Sequence, residues 1–486
     1  MDLSAFINAA SYVIFPRTVG GVTTYHAKNG LTGRIPYSDL NFSALFNTVS
    51  TVLNAAGGGS IKLVGVLTGT TALTALSLVD VDGWGAEIII DSPATVNGVN
   101  FTDVVNAIWR DVRLIRRDTT PITAVVYAAY FSGFCDDTLI LENCMFLNEV
   151  TAAVNYCYGV FIADSASPSF IGCTGQGGGG TNGVGINVSW NASPSFTGCT
   201  GQGGGGASGY GIYVGISASP SFTGCTGQGG GGGANCAGIY VAGAASPNFT
   251  GCTGIGGGGG INCYGIIVAY GSSPSFTGCT GIGGVKSNNK WTYASADNGR
   301  FQPYATAPYI LVGSYVYVNV AAGAGTTLSL GTSIGGAEIA AGIPIDSTGS
   351  KYFTIANGEV AAAGYMYATP SAAIAEGSLI VYYVVMSNYA SCSGLYIGSK
   401  GAVRFSEGFL LSNGASDAFY VDDVAEAANL WRLTNSHVET MDPVNQRSII
   451  SQSAYNPAPV YNCFLRGLVV NIVPAAGTAV GSNIQE

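Results

Sequence analysis

The charged side chains and histidines of this sequence all lie outside one uniform stretch, and that decides where acid–base chemistry could sit. Between residues 165 and 285 there is no Asp, Glu, Lys, Arg or His, so the stretch has none of the side chains that ordinarily act as general acid or base. Carboxylates flank it: Asp136, Asp137 and Glu142 before, Asp422, Asp423 and Glu426 after. Two carboxyls about 5 Å apart suit retaining hydrolysis of a glycosidic bond, and a gap of roughly 6.5–9.5 Å suits the inverting reaction. None of the six lies in a motif with a mechanism attached. Adjacent Asp residues on a strand face opposite ways, so the plain reading is solvated strand and turn acids. Asp422 with Asp423 is the one pair that could hold Ca²⁺, a cation that takes oxygen ligands. With only His26 and His437 and no CxxC pair, no zinc site is expected, and the sequence predicts no cofactor.

What must position such residues is written five times over residues 167–284. SPSFIGCTGQGGGG is followed by two copies of SPSFTGCTGQGGGG, then SPNFTGCTGIGGGGG and SPSFTGCTGIGG. Pro168, Pro194, Pro220, Pro247 and Pro274 step by 26, 26, 27 and 27, as do Cys173, Cys199, Cys225, Cys252 and Cys279. A period of this size means stacked repeats, and a unit of Gly, Ser and Thr without a 3.6-residue period excludes the helical kinds. In GINV, GIYV, GIYV and GIIV, alternation puts Ile186, Ile212, Ile239 and Ile266 inward with Val188, Val214, Val241 and Val268. Phe170, Phe196, Phe222, Phe249 and Phe276 also point in. The Cys three residues later joins them if the Gly between turns the chain. That Gly is 172, 198, 224, 251 or 278, replaced in the preceding LILENCMF by Asn143; Gly and Asn enter the left-handed region most cheaply. Layers about 4.8 Å apart then give continuous inner ladders of Phe, Cys, Ile and Val.

Strand, left-handed bend at Asn or Gly, inward Cys and a coil of 26–27 residues resemble the right-handed parallel β-helix of the pectate-lyase-like superfamily. The resemblance covers about residues 58–300 and 391–475 and implies an all-β solenoid. It is silent on activity, because the superfamily holds lyases, hydrolases, phage tailspikes and non-catalytic adhesins. Its enzymes cut acidic or neutral polysaccharides with paired carboxylates, or with Ca²⁺ and a Lys or Arg base.

Composition narrows the partners. Charged residues are 9% of the chain, against about 25% in ordinary soluble domains, so the surface is largely neutral. A net charge of −10 with only 17 basic residues argues against nucleic acid and anionic membrane. The one basic cluster, WRDVRLIRRD at 109–118, reads as an exposed strand edge. Twelve cysteines, seven of them in ladders once Cys236 and Cys263 are added, read as reduced core packing, since stacked neighbours have parallel Cβ directions. The first residues lack the basic and long apolar regions of an export signal, which points to folding in the cytosol.

In chain order, residues 1–57 are expected to hold an attachment region, irregular up to about 40, and a capping helix from about Ser43 to Ala55. Leu45, Phe46, Val49, Val52 and Leu53 form its apolar face, Asn41 or Ser43 caps it, and Gly57 ends it. The β-helix occupies 58–300, a β-sandwich-like insertion 301–390, renewed β-helix 391–475, and a tail 476–486. The outward position between Ile and Val carries Phe161, Asn187, Tyr213, Tyr240 and Ile267, an aromatic and apolar stripe on an uncharged wall. Such a stripe suits a subunit contact or sugar stacking. The glycine tracts have no side chains to donate and are read as a close-packed third face or as loops. Taken together, the sequence predicts a tailspike- or fibre-like adhesin that binds a cell-surface glycan or other receptor without catalysis. It would be a homotrimer meeting through Tyr213, Tyr240 and Ile267, joined to a virion through its N-terminus, and placed on a virion or extracellular surface. A polysaccharide lyase or glycoside hydrolase is the alternative, and an extracellular filament-forming protein the second.

Overall fold

Residues 12–39 make three strands where irregular chain was expected. Tyr12–Val19 and Val22–Asn29 form an antiparallel hairpin, and Tyr37–Asp39 pairs with its second strand. The cause is legible in VGGV: Gly20 and Gly21 both take positive φ, 59° and 80°, the geometry of a tight hairpin turn. Tyr12–Ile14 then pairs in parallel with Ile61–Leu63, so the hairpin continues one wall of the solenoid. This is a computed structural model. It describes residues 11–283 except 93–95, 119–124, 151–155, 232–234 and 258–261, and beyond 283 mainly the strands.

The body is a parallel β-helix with three walls. One sheet of fifteen strands contains the Ser-Phe-Thr segments, and two sheets of twelve contain the Thr-Gly-Gln and the Tyr-rich segments. Every layer pairs with the next in the register the repeats dictate: Phe170 with Phe196, then Phe222, Phe249 and Phe276. Their rings stack 4.6–4.9 Å apart with planes within 13°. The bend is as expected. Asn143 and Gly172, Gly198, Gly224, Gly251 and Gly278 lie at φ 52–62°, and so do Asp111 and Glu407 one layer beyond at either end, at 55° and 56°.

All ten cysteines among the described residues are buried, and none is in a disulfide. The main ladder is anchored to the layer below: Cys252 Sγ donates to the Phe222 carbonyl and Cys279 Sγ to that of Phe249, each at 3.5 Å. Cys157, Cys236 and Cys263 form smaller inward clusters behind the Tyr-rich wall. Burial pushes the Cys157 thiol up to about 11.

The glycines are close-packed. Along the Tyr-rich wall the pairing skips Gly159, Gly185, Gly211, Gly238 and Gly265. A methyl on Gly185 would strike the Gln202 amide nitrogen and lie 2.7 Å from the Gly211 carbonyl oxygen. In the tracts a Cβ on Gly203 would come 2.6 Å from the Gly230 nitrogen. Here two backbones touch with no side chain between them.

Helix Phe42–Ala55 closes the open end. Asn41 Oδ1 accepts from the Ser43 amide, and Gly57 at φ 91° ends it. Leu45, Phe46, Val49 and Leu53 are buried in the solenoid core, with the Phe46 ring 5.8 Å from that of Trp109. The basic run is an exposed edge only in part: Arg110, Asp111 and Arg113 are exposed, whereas Trp109 and Arg116 are fully buried, the latter donating to the Val96 and Ser92 carbonyls. Alternation on a strand sends one residue in two inward, whatever its charge.

Antiparallel sheets interrupt the solenoid, one built on Tyr309–Val318 and Leu379–Ser387 and a second on Thr327–Gly331 and Met366–Pro370. Ser287–Thr292 already pairs with Leu379–Ser387. The β-helix then resumes as if uncut: Ile266–Val268 pairs with Leu395–Ile397, and Phe276 with Phe405.

Two outcomes are expected. Gly185→Ala should lower stability by about 1–3 kcal/mol, the usual cost of overpacking. Gly205→Ala, with its nearest neighbour 3.5 Å away, should be neutral; denaturant midpoints of the two variants check this. Unfolded Cys157 releases its proton near 9.0 while the folded thiol keeps it to about 11. Above pH 9 the unfolded state therefore binds fewer protons, so stability should be level below that pH and fall through the window to 11, as melting temperatures at stepped pH would report.

Candidate functional site

The skipped glycines rearrange the outer face of the Tyr-rich wall. Because parity resets at each one, residues three apart, such as Tyr158 and Phe161, lie on the same outer face. Two aromatic columns result. One runs Tyr127, Tyr158, Val184, Tyr210, Ala237 and Tyr264; the other Tyr130, Phe161, Asn187, Tyr213, Tyr240 and Ile267. Sequence reasoning found the second column and missed the first. The signal was present in YCYGVF and GYGIYV, where Gly separates two aromatics.

The rings pack on one another. Tyr127 stacks on Tyr158 at 5.3 Å, Tyr158 meets Phe161 at 5.0 Å, and Tyr210 stacks on Tyr240 at 5.1 Å. Phe161 and Ile267 were expected as exposed members of a stripe, but neighbouring rings cover them to 5% and 8% exposure. Tyr213 and Tyr240 remain half-buried. The Tyr213 ring lies over Gly215, where a Cβ would come within 2.6 Å of it.

Between the rings of lower and upper layers opens a cleft of about 450 Å³. Tyr127, Tyr158 and Phe161 wall it on one side and Tyr210, Tyr213 and Tyr240 on the other, with Val184, Asn187 and Ser189 between. Ser189 Oγ donates to Asn187 Oδ1 at 2.7 Å, and both residues are 4% exposed. No Asp, Glu, Lys, Arg or His lines it. Burial pushes the pKa of the Tyr127, Tyr158, Tyr210, Tyr213 and Tyr240 hydroxyls upward, so they stay neutral.

The rim is a third column. Asp164, Trp190, Ile216, Gly243 and Tyr270 start the turn after each strand, all at positive φ between 46° and 65°. For bulky residues this costs roughly 1–2 kcal/mol each, and glycine does the same job unstrained at 243. Yet Trp190, Ile216 and Tyr270 are 45%, 48% and 63% exposed. Fold alone does not account for large apolar side chains there, and Trp190 and Ile216 line the cleft. Strain kept at an exposed position is a mark of use.

The candidate acids lie elsewhere. Asp136 and Asp137 are exposed before the strand Leu139–Glu142, with Asp136 accepting from the Thr138 amide. Glu142 ends that strand, beyond the turn that holds Asp137. The strand belongs to the Phe-bearing wall, away from the cleft. Asp422, Asp423 and Glu426 fall outside the described residues, and with them the candidate Ca²⁺ pair. No group of three or more metal-ligating side chains occurs among the described residues.

No family model and no curated protein matches the chain. Among solved structures it is similar to the A-modules of two mannuronan C-5 epimerases of Azotobacter vinelandii. The AlgE6 module is 11% identical, covering 87% of this chain and 94% of its own, with a TM-score of 0.30. The AlgE4 module is 11% identical, covering 86% and 96%, with a TM-score of 0.24. A third is the tailspike gp49 of Acinetobacter baumannii bacteriophage Fri1, a capsular polysaccharide depolymerase, at 10% identity, 72% and 83% coverage and a TM-score of 0.18. The architecture given above rests on this chain's own strand register.

Ionisation of the cleft tyrosines offers a check on its burial. Absorbance titration should show a class of tyrosines ionising well above the ordinary value near 10, and Tyr158→Phe with Tyr240→Phe should shrink that class without altering the rest of the curve.

Proposed function

We propose that this protein is a tailspike- or fibre-like adhesin that binds an uncharged glycan in the aromatic cleft and does no chemistry on it. The observation that supports this most is the cleft: rings on two sides, an amide and hydroxyls between them, no Asp, Glu, Lys, Arg or His. Sugar rings present C–H faces that pack on aromatic faces and hydroxyls that bond to Tyr, Ser and Asn. A charged ligand would leave its charge unpaired there, which is costly. A homotrimer built through Tyr213, Tyr240 and Ile267 would fill the same recess. We favour the glycan because these rings border a hollow and Ile267 is already covered from within the chain. The reading keeps the N-terminal residues as the attachment to a virion and the surface of a virion or cell exterior as the setting. No helix among the described residues is long and apolar enough to cross a membrane.

Calorimetry against neutral and acidic oligosaccharides tests the proposal. Binding of a neutral member is expected, weakened about tenfold by Tyr213→Ala or Trp190→Ala, equal to about 1.4 kcal/mol, with no release of reducing ends. A protein that binds no saccharide, or one whose Tyr213→Glu variant falls from trimer to monomer, overturns the reading. Release of reducing ends that Asp136→Asn abolishes would make it an enzyme.

A further inference from the structure

Both aromatic columns are broken in the same layer, Asn182–Val188. The first has Tyr158 below and Tyr210 above, with Val184 between; the second has Phe161 and Tyr213, with Asn187 between. We infer that this layer is a slot for one uncharged pyranose ring, held between the aromatic tiers of the layers on either side. The inference rests on the glycan reading above and adds to it which layer selects the sugar.

The dimensions agree. Layers repeat at about 4.8 Å, so tiers two layers apart are separated by roughly 9–10 Å. A ring stacked on both sides needs about 3.5–4.0 Å to each plane, so the slot takes one ring and not two. The register also shows that the gap is not imposed by the fold, because tyrosine occupies the first column in the layers immediately below and above and is accommodated there. Cys157 and Gly183, and Val160 and Ile186, pair across these layers as usual, so the register is unbroken where the outward aromatics are missing.

The floor of the slot is polar where its walls are not. Asn187, 4% exposed, has Oδ1 taken by the Ser189 hydroxyl. Its Nδ2 is not sealed away without a partner, and a sugar hydroxyl or ring oxygen can take the place of water as the acceptor there. Trp190 stands at the mouth in the same layer, its ring edge-on to Phe161 at 5.9 Å. Ionised sugars are excluded on charge: no cation lines the slot, and the nearest ionisable group in the rim column is Asp164, which repels a carboxylate.

The test fills the slot with the residue its neighbours carry. The probes are neutral hexose hexasaccharides of gluco, manno and galacto configuration and the matching oligouronates, with Trp190 fluorescence and calorimetry as readouts. Val184→Tyr should keep the circular dichroism and melting temperature of the parent and lose more than tenfold in affinity for the neutral ligand, while Val184→Ala keeps it. If Val184→Tyr does not fold, Asn187→Tyr, which copies Tyr213, replaces it. Unchanged affinity in the tyrosine variant, beside losses in Tyr213→Ala and Trp190→Ala, overturns the slot and leaves the glycan reading standing. Oligouronates bound as tightly as neutral sugars overturn its selectivity. Absence of binding to every saccharide removes both.

Discussion

The structure depends on one constraint: every layer must hydrogen-bond to the next at a fixed spacing, so whatever a residue does, its counterpart one coil later must do about 4.8 Å above it. Sequence periodicity here is the imprint of that constraint. Phe stacks on Phe, thiol follows thiol, and each left-handed bend donates its N–H to the layer above, as Gly198 does to the Thr223 carbonyl at 2.9 Å. No layer can satisfy its apolar side or its strand edges alone. The helix at one end is therefore part of the same requirement. It covers an apolar cross-section that stacking leaves bare, with Phe46 reaching as far as Trp109.

The glycines that let two walls meet backbone to backbone also create the candidate site. At Gly159, Gly185 and Gly211 a strand turns over its parity, so that inward and outward positions on either side are no longer two residues apart. Tyr158 and Phe161, or Tyr210 and Tyr213, are thereby thrown onto one outer face. Thinness inside and aromatic surface outside have a single cause. A glycine that made only a turn would not have this effect; these make a contact, and the contact sets the face.

Much of this was legible in the sequence because a ladder repeats its evidence. Five copies of SPSFTGCTG fixed the inward Phe and Cys and the bend at Gly or Asn143, and the interruption announced itself by the loss of period. The N-terminal hairpin was legible in principle through VGGV but had no second copy to reinforce it. Arg116 was misplaced because charge was given more weight than alternation. The first aromatic column escaped for a different reason. Its tyrosines, Tyr158 and Tyr210 among them, are interrupted by Val184 and Ala237, and their common face with the second column exists only once the glycine between columns is known to break the alternation.

Where the repeat is most uniform, side chains serve stacking; where it departs from uniformity, they are free to serve something else. The Ser-Phe-Thr wall barely varies from layer to layer, and its Phe rings stack at almost constant spacing. On the Tyr-rich wall the inward positions are as constant, Ile over Ile and Val over Val. The outward ones run through Tyr, Val, Asn, Ala and Ile, and the rim through Asp, Trp, Ile, Gly and Tyr. A fold that needs only its inner positions to repeat leaves the outer ones to differ, and the strained turns at Trp190 and Ile216 are differences the fold would be more stable without. Trp190 and Ile216 border the cleft, and it is this variable aromatic face, rather than the uniform walls, that the proposed ligand would meet.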